Sequence, residues 1–149
     1  MNENTLILMV GLPRSGKSTK ARKLGHPIVN PDAIRLSLHG HAYIPLAEPY
    51  VWAIAGTMAL ALFAAGHETV TIDATNNTAA RRAEWVKLAR GVEGCAVAVI
   101  EMRTPFEVCC ERAGDDGNMA NVIERMHAAH EPVDYEAEEI TTDFVDFST

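Results

Sequence analysis

Gly11-Leu12-Pro13-Arg14-Ser15-Gly16-Lys17-Ser18 sets two glycines, a lysine and a hydroxyl at the spacing G-x-x-x-x-G-K-[ST]. The chemistry of that pattern is anion capture. Glycines let the main chain fold tightly, so that several N–H groups converge on phosphate oxygens. A helix that starts there adds its positive N-terminus. Lys17 supplies a point charge for β- and γ-phosphates, and Ser18 offers a hydroxyl to Mg²⁺. Gly11, Arg14, Ser15, Gly16, Lys17, Ser18 and Thr19 are the candidate residues for the phosphates of ATP. A Mg²⁺–nucleotide site also calls for a carboxylate at the end of a neighbouring strand. Asp73, which closes the β-branched run Thr69–Ile72, fits that place.

The loop leaves the reaction open between hydrolysis and transfer. The guanine-reading pattern N-K-x-D is absent, and 149 residues are short for a motor or transporter ATPase. A core, a lid and a small acceptor site fit this length, which favours a kinase. Transfer to a hydroxyl needs a base near the γ-phosphate. Asp32 follows a short strand and begins a helix, so a parallel sheet places it on the same carboxyl edge as the phosphate loop. Arg35 lies three residues on, along the same helical face. The pair suits an anionic acceptor, with its hydroxyl at Asp32 and a phosphate at Arg35; an intrahelical ion pair is the plainer alternative.

The elements that must hold these residues alternate. Thr5–Val10 is an apolar run of the kind found in a buried parallel strand. Residues 17–24 read as a helix closed by Gly25, and Pro27–Val29 as a short strand. A helix opens at Asn30 or Pro31 and runs to about Leu38, and residues 39–46 form a loop. Ala47–Ala65 reads as a long buried helix, Thr69–Ile72 as a strand, and Thr78 caps a helix to about Arg90. Cys95–Met102 is a further strand. Helices over Pro105–Ala113 and up to about His130 flank the polar break 114–118, and Glu139–Phe144 is the expected edge strand. The expectation is one α/β domain over 1–149: a five-stranded, mostly parallel sheet flanked by helices, with the Asp73 strand beside the phosphate-loop strand. A small helical lid occupies about 111–120 and an acidic segment 131–149.

Charge placement narrows the partners. The net charge is −7, yet residues 131–149 carry Glu131, Asp134, Glu136, Glu138, Glu139, Asp143 and Asp146 with no Lys or Arg. The remainder balances at 13 bases against as many acids, which argues against a nucleic-acid coat protein with many phosphate contacts. Aromatic residues are 6% of the chain, and none precedes Tyr43, so contact with a polynucleotide is expected at one or two terminal nucleotides. Arg81 and Arg82 read equally as contacts to a nucleic-acid backbone or as a solvated helix face. The N-terminus lacks the features of a signal peptide, no stretch is long enough to span a membrane, and Cys95, Cys109 and Cys110 form no disulfide framework. A cytoplasmic protein is expected. His39-x-His41 and His127-x-x-His130 lack a third ligand at metal-site spacing.

Four segments resemble the P-loop kinases typified by the 5′-hydroxyl kinase domain of polynucleotide kinase. GLPRSGKST (Gly11–Thr19) resembles the family's phosphate loop, and Asn30-Pro31-Asp32-Ala33-Ile34-Arg35 its acceptor motif. Asp73-Ala74-Thr75-Asn76, followed by Arg81, Arg82 and Trp85, resembles its second-strand acid and basic helix. Glu111-Arg112-Ala113-Gly114, with the helix around Val122–Met126, resembles its lid. The resemblance implies a P-loop NTPase fold, with Lys17, Ser18 and Thr19 on ATP and Mg²⁺, and Asp32 as general base. It implies Arg35 on the acceptor phosphate, Thr75 and Asn76 on substrate, Asp73 at the metal, and Arg112 as the lid arginine at the transferring phosphate. The chain departs from the family in having Arg14 where glycine is common, and Asp115 and Asp116 where a second basic lid residue is usual. The expected function is ATP-dependent transfer of the γ-phosphate to a polynucleotide 5′-hydroxyl, as in nucleic-acid end repair. The alternatives are a kinase of a small-molecule or modified-base hydroxyl, and a nucleotide-binding module without transfer.

Overall fold

Strand β1 (Asn4–Val10) is buried on both sides, because its apolar residues alternate between two faces. Leu6, Leu8 and Val10 enter the larger core, and Ile7 and Met9 the smaller one on the opposite side of the sheet. A Leu8→Ala truncation would cost about 2–5 kcal/mol. The computed structural model describes residues 3–142. Its remaining strands are β2 (Ile28–Val29), β3 (Thr69–Ile72) and β4 (Cys95–Glu101). All pairings among these strands are parallel, in the order β2-β3-β1-β4, so β1 lies between the Asp73 strand and β4.

Helix α1 (Lys17–Leu24) covers the smaller face through Ala21 and Leu24, and Gly25, at φ 78°, closes it in the left-handed region. Helix α2 (Pro31–His39) is capped by Asn30, whose side chain accepts from the N–H groups of Asp32 and Ala33 at 2.8 and 3.3 Å. Helices α3 (Glu48–Ala64) and α4 (Ala79–Arg90) cover the larger face with Val51, Ala55, Ala59, Trp85, Val86 and Ala89. Thr78 caps α4, as its side-chain oxygen accepts from Arg81 N–H. Helices α5 (Phe106–Ala113) and α6 (Gly117–Ala129) pack on each other around Cys109 and Ile123, and Leu12 of the phosphate loop joins them.

Two expectations are corrected. Helix α3 is buried along one face only, and Tyr50, Met58 and Leu60 are exposed on it. Among the described residues the sheet has four strands rather than five. The Glu139–Phe144 segment is reduced, within the described residues, to one parallel bridge between Thr141 and Ala98; Asp143 and Phe144 lie outside them. A tight turn through Asp134–Glu139, ending with Glu139 at φ 61°, leads into that bridge. No helix among the described residues is long and apolar enough to cross a membrane.

Candidate active site

The loop after β1 is wound by its own backbone. Gly16 sits at φ 97°, where an L side chain is strained. A Cβ on Gly11 would come within 2.9 Å of Met102 Cβ and Ser15 Oγ. Arg14 adopts φ 67°, which explains why glycine suits that position; a side chain there costs about 1–2 kcal/mol. Thr104 Oγ, buried, donates to Ser15 O at 2.7 Å and fixes the loop from the β4 side. Lys17 Nζ donates across the loop to Leu12 O at 2.9 Å. Burial pushes the Lys17 pKa down, while Asp73, Cys109 and Asp32 pull it up. Ser15 Oγ is buried with no hydrogen-bond partner among the described residues. Such an orphan beside inward-turned glycines and a lysine fits a phosphate oxygen.

Ser18 and Asp73 meet from different elements. Ser18 Oγ donates to Asp73 Oδ2 at 2.7 Å, and Asn30 Nδ2 donates to the same oxygen at 3.3 Å. One carboxylate therefore joins the start of α1, the end of β3 and the cap of α2. A hydroxyl and a carboxylate are hard oxygen donors, the set Mg²⁺ takes when substrate phosphates and water complete its shell. The residues present fit that ion. Thr19 is exposed one residue further on.

Asp32 stands on the same carboxyl edge, with its side chain 78% exposed. Arg35 Nη1 donates to its Oδ1 at 2.6 Å. The rest of the Arg35 fork is taken by Glu48 at the start of α3, through Nε–Oε2 at 2.9 Å and Nη2–Oε1 at 2.6 Å. Arg35 holds the Glu48 carboxyl below its usual range, and Glu48 and Asp32 together hold Arg35 charged. Asp32, the expected base, thus stands in the intrahelical ion pair, and Arg35 has a second carboxylate that the sequence did not reveal.

Other expected residues fall in different places. Arg112 Nη1 donates to Arg14 O at 3.0 Å, which brings α5 onto the phosphate loop. Asp116 turns back to cap α6, its Oδ1 accepting from Met119 N–H at 3.0 Å. Asn76 is turned inward: its amide donates to Met9 O at 2.7 Å, and the residue is 1% exposed. Thr75 Oγ1 faces Met126 Sδ at 3.9 Å. The two arginines of α4 diverge. Arg82 is fully buried, paired with Glu138 and bonded to the carbonyls of Asn76, Glu131 and Pro132. It neither lies on a solvated face nor is exposed to meet a nucleic-acid backbone. Arg81 instead lies over the ring of Trp52, 3.6 Å from its centroid.

The AAA domain family model matches residues 6–133. The chain belongs to that family. A comparison with curated proteins finds no significant match. Among solved structures, this AAA domain superposes on a chain of the Pnkp1/Rnl/Hen1 RNA repair complex with TM-score 0.72 and 20% identity. That match covers 97% of this chain and 48% of the other, so the AAA domain spans about half the length of that relative. It also matches a gluconokinase from Sinorhizobium meliloti 1021 at TM-score 0.60 and 18% identity, covering 99% and 83% of the two chains. The APS kinase CysC of Mycobacterium tuberculosis, in complex with AMPPNP and APS, matches at TM-score 0.59 and 21% identity, covering 100% and 82%. The fold is that of the nucleotide-binding P-loop kinases, an α/β sheet flanked by helices.

Sequence reasoning missed three residues of this AAA domain's site, Glu48, Trp52 and Thr104, and the bond of Asn30 to Asp73. Asn30 carried a signal, since an Asn before the Pro at a helix start is a capping pattern. Glu48, Trp52 and Thr104 carried none, because their partners lie 13, 29 and 89 positions away. No group of three or more metal-ligating side chains occurs among the described residues, and His127 stacks on Phe106 while His130 meets Asn77.

Proposed function

We propose that the chain is an ATP-dependent phosphotransferase that moves the γ-phosphate to a polynucleotide 5′-hydroxyl. One observation carries this reading: Asp73 ties the phosphate loop through Ser18 to the α2 cap through Asn30, so the phosphate cradle and Asp32 share one edge at fixed spacing. The fold's likeness to a chain of an RNA repair complex supports the acceptor.

The loop amides and Lys17 hold the triphosphate, and Gly11 and Gly16 give it room. Ser18 and Asp73 would hold Mg²⁺, which supplies charge neutralisation at the phosphates. Asp32 accepts the proton of the acceptor hydroxyl as its oxygen bonds to the γ-phosphorus. The bond from that phosphorus to the β–γ bridging oxygen breaks, and ADP leaves. Lys17 and Arg112 stabilise charge on the transferring group. Arg112, already on the loop at Arg14 O, has a short way to travel.

A second reading, transfer to a small hydroxyl acceptor, is favoured by the likeness to a gluconokinase and an APS kinase. Incubation with γ-labelled ATP and Mg²⁺, offering a 5′-hydroxyl oligonucleotide against a metabolite panel, separates the two. Label on the oligonucleotide, lost by about 10²–10⁴-fold in Asp32→Ala, is the expected outcome. Label on a metabolite alone selects the second reading. No transfer by the wild type, with ADP still bound, leaves a binding module.

A further inference from the structure

We propose that Arg81, held over the ring of Trp52, binds a phosphate carried by the hydroxyl acceptor, while Arg35 orients Asp32. The inference rests on the phosphotransfer reading and reassigns the acceptor's anion contact from the residue the family pattern suggests.

The two arginines differ in what they have left to offer. Every nitrogen of the Arg35 guanidinium already faces a carboxylate oxygen, and two carboxylates share one cation. An incoming phosphate there would face the charges of Asp32 and Glu48 and find only two of the five N–H donors left. Arg81 has neither an ion-pair partner nor a hydrogen-bond acceptor for its guanidinium among the described residues. It is also the third residue of α4, where a cation meets the positive end of the helix. A half-buried arginine in that position is disfavoured by its surroundings unless an anion joins it. Burial pushes its pKa down, with Glu84 and Glu48 opposing and Arg35 adding to the shift. Glu48, the acid that could have neutralised it, is spent on Arg35.

Stacking also shapes the site. A guanidinium held against an indole face loses freedom and can still donate from its N–H groups, which suits contact with phosphate. Trp52 is itself fixed by Trp85, edge-on at 6.4 Å between ring centroids. Glu48, bonded to Arg35, and Trp52, under Arg81, stand four residues apart on one face of α3, which sets Arg81 beside the Asp32–Arg35–Glu48 cluster. A phosphate close to the reacting hydroxyl occurs in a polynucleotide end and in a phosphorylated metabolite.

Calorimetric titration of the full chain tests this with two probes, a 5′-hydroxyl trinucleotide and a nucleoside 3′-monophosphate. An ADP titration of each variant checks the phosphate loop. Arg81→Gln is expected to weaken the phosphate probe at least tenfold, with ADP affinity within twofold of wild type. Arg81→Lys recovers part of the loss, and Trp52→Phe more than Trp52→Leu, as a positioning residue requires. Tight binding of the trinucleotide alone identifies a polynucleotide end, and tight binding of both probes a phosphorylated nucleoside; either supports the site. Wild-type affinity in Arg81→Gln overturns it, as does a wild type that binds neither probe, or an equal loss of ADP binding. Arg81-dependent binding without any phosphate transfer would remove the phosphotransfer reading alone. Transfer with an acceptor KM indifferent to Arg81 would remove this inference alone.

Discussion

Ser18 Oγ donates a 2.7 Å hydrogen bond to Asp73 Oδ2, which couples the first turn of α1 to the end of β3 across 55 positions of sequence. If this pair holds Mg²⁺, then Mg²⁺ should raise ADP affinity in the wild type, and chelation should remove the gain. Asp73→Asn should lose at least tenfold of that increment and leave Mg²⁺-free ADP binding nearly unchanged. Titrations with and without chelator check this, and an equal Mg²⁺ effect in both proteins would contradict it.

Lys17 should give nucleotide binding an alkaline limit. Burial lowers its pKa, so the ammonium loses its proton below the ordinary 10.5. The charged form is the one that grips phosphate. Affinity for ADP should therefore fall as pH rises through the lowered value, by up to about tenfold per pH unit beyond it. The check is ADP titration from pH 7 to 10, with folding followed by circular dichroism. Constant affinity in a folded protein would count against it.

Arg82 should be the costliest polar residue to remove. Arg82→Leu leaves the partly buried Glu138 without its cation and strips donors from three carbonyls. A loss of about 3–5 kcal/mol in urea unfolding is expected. Proteolysis should become faster within 131–142, while ADP affinity of the folded protein stays within twofold.

Glu48 links stability to acid pH. Its folded pKa is lowered, so its contribution is complete above the ordinary 4.5 and vanishes as pH falls through the lowered value. Glu48→Gln should cost about 1–3 kcal/mol at pH 7. Unfolding measured across pH 2–7 should find the difference shrinking toward the acid end.

The elements were legible where a local signal marked them. Gly25 closed α1, Thr78 capped α4, and β-branched Thr69–Ile72 ended at Asp73, all as periodicity and capping predict. The phosphate loop was legible because it is contiguous. What could not be read was made by distant partners. Arg35 looked available until Glu48 came from the far side of the 39–46 loop. Asn76 looked like a substrate contact until Met9 O claimed its amide, and Arg82 like a surface residue until the acidic segment folded over it. Helix α3 is apolar on every side, a pattern that cannot say which side faces water.

Helix α6 is fastened at its far end. Asn77 Nδ2 donates to Met126 O at 2.8 Å, Arg82 reaches Glu131 O at 2.9 Å, and the Glu131 side chain accepts from Ala79 N–H at 3.1 Å. The opposite end meets α5 at the 114–116 turn, beside Arg112. The helix is thus a lever with its fulcrum near Met126. With about 14 Å of helix between Met126 and Gly117, a rotation of roughly 10° carries the tip about 2 Å. Any displacement of that tip would pass to α5, and so to Arg112, through the packing of Ile123 on Cys109.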